Sequence, residues 1–82
     1  MIQITFYTKP QCPLCEEAEE LLADLGRSHP INLIKVDILR DAELYAAYGE
    51  RIPVLEFAHG VTFEPPITES RLRNAIRAVS GL

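Results

Sequence analysis

Ile2-Gln3-Ile4-Thr5-Phe6-Tyr7 alternates apolar and less apolar side chains, and Cys12-Pro13-Leu14-Cys15 follows after a short break. The alternation, rich in β-branched and aromatic types, predicts a strand. Thr8-Lys9-Pro10-Gln11 interrupts it with a proline. From Leu14 the period changes: Leu14, Ala18, Leu21, Leu22 and Leu25 recur at helical spacing, which predicts one amphipathic helix. Pro13 suits the first helical position, where its missing N–H is no loss, and Gly26 is a natural stop. The cysteine pair therefore falls where a strand hands over to a helix, and the rest of the chain is read from that junction.

Downstream, Leu33-Ile34-Lys35-Val36-Asp37-Ile38 predicts a second strand. Asp41 is placed to cap a short helix carrying Leu44, Ala47 and Tyr48 and closed by Gly49, with Tyr45 and Tyr48 read as packing residues. Pro53-Val54-Leu55-Glu56-Phe57 and Val61-Thr62-Phe63 flank Ala58-His59-Gly60, a hairpin with glycine in its turn. Pro65-Pro66 ends the hairpin. Thr68 or Ser70 then starts a last helix with the stripe Leu72, Ala75, Ile76 and Val79, ending at Gly81. The order β-α-β-α-β-β-α makes the first two strands parallel, through a right-handed crossover, and the last two antiparallel. An α/β fold follows, a four-stranded mixed sheet flanked by helices. With 82 residues and no linker, repeat or low-complexity stretch, residues 1–82 are read as a single domain.

Composition narrows the function. Hydrophobic residues at 48% and charged residues at 24% are ordinary for a globular chain and argue against disorder. A net charge of -4, with eight Lys and Arg scattered rather than clustered, argues against a nucleic-acid partner. Nothing approaches the ~20 apolar residues that span a bilayer, and the first residues lack a basic n-region and an apolar h-region, so a cytoplasmic location and no membrane partner are expected. Two cysteines form at most one bridge, which excludes a disulfide scaffold. In a reducing compartment a close pair points to catalysis or metal binding rather than to a structural link.

Thiol–disulfide exchange needs a thiolate, and a free cysteine with pKa ~8.5 is only slightly ionised at neutral pH. At a helix N-terminus, unpaired backbone N–H groups and the positive end of the dipole stabilise the anion. Moving the pKa from ~8.5 to ~7 takes about 2 kcal/mol, the upper limit of what a helix terminus supplies, and the Lys9 cation three residues upstream adds to it. Cys12, at the cap, is expected to be exposed and nucleophilic. Cys15, one turn further, is expected to be more buried and to resolve the mixed disulfide. Pro13 stiffens the turn. Glu16 and Glu17 oppose the anion and are expected to point partly to solvent, where screening weakens them. The motif is also half of a zinc site, but His29 and His59 are far apart in sequence and match no H-x₃₋₅-H element, so no metal site is expected. An inert reduced pair is the remaining reading of the residues alone.

Thr8-Lys9-Pro10-Gln11-Cys12-Pro13-Leu14-Cys15 together with Arg51-Ile52-Pro53-Val54-Leu55 resembles the glutaredoxin branch of the thioredoxin-like superfamily, and more closely its small bacterial C-P-L-C domains. The element order agrees along essentially the whole chain. The resemblance implies a thioredoxin-like (glutaredoxin) fold, a dithiol site at Cys12 and Cys15, and a cis Ile52–Pro53 bond facing them. It further implies that the Ile52 backbone offers an N–H and a C=O to an extended substrate, that Pro13, Leu14 and Pro53 border that substrate, and that Lys9 helps to hold a glutathione carboxylate. The chain departs from the family pattern in two places. Phe63-Glu64-Pro65-Pro66-Ile67-Thr68-Glu69-Ser70 lacks the glycine pair that serves the γ-glutamyl end, and Arg51 stands where threonine is common.

The activity expected from these features is thiol–disulfide oxidoreduction on a protein or small-molecule disulfide. Electrons would come from an external thiol reductant, with no tightly bound cofactor, glutathione as a co-substrate, and a monomeric protein. The alternative, from a different class, is a non-enzymatic binding module of the same fold or a carrier of an iron–sulfur cluster or metal on Cys12.

Overall fold

β1 (Ile2–Thr8) is the strand on which the other elements are assembled, in a computed structural model that describes residues 2–80. It lies between two neighbours in a sheet of order β2-β1-β3-β4. β2 (Ile31–Asp37) runs parallel to it, in register from Ile2 opposite Ile31 to Thr8 opposite Asp37. β3 (Val54–Glu56) runs antiparallel, with Phe6 opposite Leu55, and β4 (Thr62–Phe63) pairs antiparallel with β3. Successive side chains on a strand point to opposite faces, so Ile4 and Phe6 share one face, and both are fully buried. They join a core with Cys15, Ala18, Leu22 and Leu25 of α1 (Pro13–Leu25) and Leu72, Ala75 and Ile76 of α3 (Glu69–Ser80). Tyr7 points the other way and stacks on Tyr48 of α2 (Ala42–Tyr48), ring centroids 4.7 Å apart.

This is the expected α/β architecture, with particular corrections. The second strand begins at Ile31 rather than Leu33, because pairing with β1 starts from Ile2, and it ends at Asp37. Ile38 leaves the sheet in a 3₁₀ turn and is fully buried there. The buried stripe of α1 starts at Cys15 and steps through Ala18, Leu22 and Leu25. Leu14, expected to open it, lies one residue round the helix and is 55% exposed. α2 buries no residue, so Tyr45, read as a packing residue, is 51% exposed, and Ala47 is exposed as well. The helix packs on the core through the partly buried Leu44 and Tyr48, and its N-terminus is capped by the Asp41 carboxylate, which accepts from the N–H groups of Glu43 and Leu44.

Two glycines are required by geometry. A Cβ on Gly49 would lie 2.6 Å from the Tyr45 carbonyl oxygen, and Gly60 takes φ +78° in the turn before β4. Between the two alternatives for the start of α3, Thr68 is the cap: its Oγ1 accepts the Arg71 N–H at 3.3 Å. Gly81, expected as the stop of α3, lies outside the described residues.

Leu72 is fully buried between α3 and the sheet. Leu72→Ala is expected to lower stability by about 2–5 kcal/mol in denaturant unfolding of the oxidised protein, the usual cost of a large-to-small core change. A loss below about 1 kcal/mol would mean that the site is not packed as described.

Candidate dithiol site

Cys12 is the N-cap of α1. Its backbone is extended (φ −116°, ψ 100°), Pro13 occupies the first helical position, and its carbonyl accepts the Glu16 N–H at 3.0 Å. The side chain completes the cap: Sγ accepts a hydrogen bond from the Cys15 N–H at 3.2 Å. A sulfur thus stands where Ser, Thr, Asp or Asn would place an oxygen. Gln11 immediately before it takes φ 58°, a left-handed value that costs a residue with a Cβ roughly 1 kcal/mol. That turn brings the chain from the end of β1 round to the mouth of α1. Cys12 and Cys15 are joined as a disulfide with Cα atoms 5.2 Å apart, within the usual range.

Cys12 is not exposed as expected. It retains 8% of its surface, against 3% for Cys15, and both belong to the core cluster. The cause is the same geometry: the cap turns the sulfur inward over the first helical turn, and the disulfide fixes it against Cys15. The ranking of the two is as expected, Cys15 being the more enclosed. Both still line an open groove of about 340 Å³ at the surface, with Lys9, Gln11, Glu16, Glu19, Lys35 and Asp37 around them. Lys9 is half-buried there. Glu16 and Glu17 are exposed, as their helical positions require.

Lys35 and Asp37 were not singled out from the sequence. The signal that finds them is strand register: pairing Thr8 with Asp37 brings the end of β2 to the same edge of the sheet as the cysteines. Lys35 Nζ meets Glu19 Oε1 at 2.9 Å, and Asp37 accepts the Leu39 N–H at 2.9 Å.

The opposite side of the α1 N-terminus is apolar. The Ile52–Pro53 bond is cis, as is Pro65–Pro66. Leu14, Glu17, Pro53, Pro65, Pro66 and Ile67 line a surface pocket of about 160 Å³. Pro13 and Leu14 present themselves to solvent, while Ile52 and Pro53 are buried. One implication of the resemblance needs correction. The Ile52 N–H is already donated to the Tyr48 carbonyl at 3.1 Å, in the turn that follows α2, so it is not free as that implication requires.

Two arginines hold the surrounding loops. Arg51 folds back on α2, donating from Nε and Nη2 to the Ala47 carbonyl at 3.1 and 2.6 Å, with its guanidinium 5.3 Å from the Tyr48 ring centre and 3.5 Å from Glu64 Oε2. Arg71 lies over the Phe63 ring and donates to the carbonyls of Glu64 and Pro66, which shapes the proline segment. Among the described residues no three His, Cys, Asp or Glu side chains converge on a metal position, and no helix is long and apolar enough to cross a membrane.

Comparison with known proteins agrees with this geometry. The family model described as a glutaredoxin-like domain (DUF836) matches residues 3–77. The chain belongs to this glutaredoxin-like family. The X-ray structure of the structural-genomics target protein XcR50 from X. campestris is 36% identical, superposes with a TM-score of 0.80, and is covered over 96% of its length by 92% of this chain. The solution structure of that target gives 37% identity and a TM-score of 0.78, with 95% of each chain covered. Desulfothioredoxin from Desulfovibrio vulgaris Hildenborough, in its reduced form, is 28% identical with a TM-score of 0.70, covering 95% of this chain and 80% of its own. No curated protein matches the sequence. The chain is therefore a glutaredoxin-like member of the thioredoxin superfamily, and its bonded Cys12–Cys15 pair is consistent with redox activity.

Beside this site, the Tyr7 hydroxyl donates to Glu56 Oε1 at 3.1 Å. Partial burial, and then the Glu56 carboxylate, hold the Tyr7 phenol above its ordinary value of 10.0. A raised pKa in the folded state adds stability that is intact below about pH 10 and is lost as pH rises through the shifted value. Glu56→Gln is expected to bring the Tyr7 ring titration, followed by NMR, down towards 10.0. An unchanged midpoint would mean that the carboxylate contributes nothing.

Proposed function

We propose that this glutaredoxin-like protein is a dithiol thiol–disulfide oxidoreductase. The observation that carries the reading is the Cys15 N–H directed at Cys12 Sγ from the first turn of α1. In the reduced protein that amide and the helix dipole both favour the anionic form of the Cys12 sulfur. The Cys12 thiolate attacks one sulfur of a substrate disulfide. A new Cys12–substrate S–S bond forms, the substrate bond breaks, and its second sulfur leaves as a thiolate that takes up a proton. Cys15, on losing its proton, attacks Cys12 Sγ and expels the remaining substrate sulfur as a thiol. Two electrons pass to the substrate and Cys12–Cys15 becomes the disulfide. An external thiol reductant, itself oxidised to a disulfide, returns the pair to the dithiol, and a reducing compartment such as the cytoplasm suits the cycle.

The groove gives the attacking sulfur its access, and Lys9 supplies a cation there. Glutathione fits less well than a larger disulfide. Thr68 Oγ1 is occupied by the Arg71 N–H, and Glu69 sits in the first turn of α3, where a γ-glutamyl carboxylate would need positive potential.

Separate serine variants test the roles. Cys12→Ser is expected to reduce turnover of a disulfide substrate to background and to form no mixed disulfide. Cys15→Ser is expected to accumulate the Cys12 mixed disulfide, detected by intact mass. Trapping by Cys12→Ser instead would reverse the assignment, and full activity of both would remove it.

A further inference from the structure

We infer that the groove between α3 and the β3–β4 hairpin is a binding site for a free alkyl carboxylate of about ten carbons, with its chain along α3 and its carboxylate on Arg71. The groove shares no residue with the one that holds the cysteines, so the inference goes beyond the dithiol reading and stands apart from it.

Shape is the first argument. Arg71, Asn74, Ala75, Ala78 and Val79 recur at helical spacing and so share one face of α3. Ala58, Val61 and Phe63 of the hairpin make the facing wall, where Val61 keeps 49% of its surface exposed. The three alanines leave between the walls an open groove of about 560 Å³, inside the ~300–1,000 Å³ range of small-molecule sites. Val79 lies about 12 Å along the helix axis from Arg71, the reach of a straight chain of roughly ten carbons.

Charge is the second argument, and it fixes the polar end. Arg71 Nη1 donates to the carbonyls of Glu64 and Pro66, and the guanidinium lies 5.0 Å from the Phe63 ring centre, which holds it at one end of the groove. Those partners are neutral. The neighbouring carboxylates are turned to other arginines, Glu64 to Arg51 and Glu69 to Arg73. Among the described residues Arg71 makes no ion pair, its Nε and Nη2 meet no acceptor, and no acidic side chain lines the groove. A guanidinium offers a carboxylate two parallel N–H donors, and Asn74, one turn on, adds an amide. The hydrocarbon wall alone would accept any alkyl chain; the uncompensated cation selects one that ends in an anion.

The oxidised full-length protein tests this in NMR titrations with decanoate and with decyltrimethylammonium, the same chain length carrying the opposite charge, both below micelle formation. Decanoate is expected to shift the signals of Val61, Ala75, Ala78 and Val79 saturably. The ammonium is expected to bind about tenfold more weakly, the scale of one charge-assisted contact. Ala78 is exposed, so its replacement removes no core contact. Ala78→Trp fills the groove and is expected to lower decanoate affinity about tenfold. Ala78→Glu leaves the groove open and is expected to reverse the preference in favour of the ammonium, a ratio internal to the variant and unaffected by a loss of folded fraction. Equal affinity for the two probes, no saturable shift, or decanoate shifts confined to other residues would overturn the inference. Concentration-dependent shifts of these residues without any probe would overturn it too, by showing a second copy of the chain in the groove.

Discussion

The Cys15 N–H donates to the sulfur of Cys12 with nitrogen and sulfur 3.2 Å apart, and the rest of the site is arranged so that it does. A cap of this kind works only if the sulfur arrives at the open end of the helix at the right height. β1 fixes that height. It is paired on both sides, parallel to β2 and antiparallel to β3, and anchored by the fully buried Ile4 and Phe6, so the chain leaves the sheet at a defined point. The left-handed turn at Gln11 and the proline at the first helical position then allow little choice of where Cys12 sits. The helix is held from its other face by Cys15, Ala18, Leu22 and Leu25 in the core. The Cys12 sulfur thus inherits its position from packing.

The mouth of α1 divides its surroundings into two chemistries. On one side the groove holds two cations, and they are not equivalent. Lys35 is committed to Glu19, whereas Lys9 forms no ion pair among the described residues and is the cation left to favour an anionic sulfur. Glu16 and Glu17 oppose it from exposed positions, where solvent screening reduces their effect. On the other side, Leu14, Pro53 and the cis Pro65–Pro66 segment make an apolar wall, shaped by Arg71 through the carbonyls of Glu64 and Pro66. The helix end thus has charge on one flank and hydrocarbon on the other.

Much of this was legible from the sequence, for local reasons. Strand and helix periods, the Asp41 cap, the glycine at position 60 and the position of Cys12 ahead of Pro13 depend on neighbours a few residues away, and the structure carries each of them. What was not legible depends on how a local turn is oriented against the core, or on contacts between distant segments. The exposure of Leu14 follows from which face of α1 meets the sheet. The burial of Cys12 follows from the inward turn of its cap and from its bond to Cys15. The loss of the Ile52 N–H to Tyr48 needs the end of α2 to fold back on the following turn. The groove partners Lys35 and Asp37 emerge only once β2 is set in register against β1.

The central claim concerns the charge state of one sulfur, and the pH dependence of alkylation of the reduced protein reads it most directly. With Cys12 reacting first, identified by peptide mass after a single modification, the midpoint of the rate is expected to lie below the ~8.5 of an ordinary cysteine. A midpoint at or above that value, or first modification at Cys15, would contradict the account.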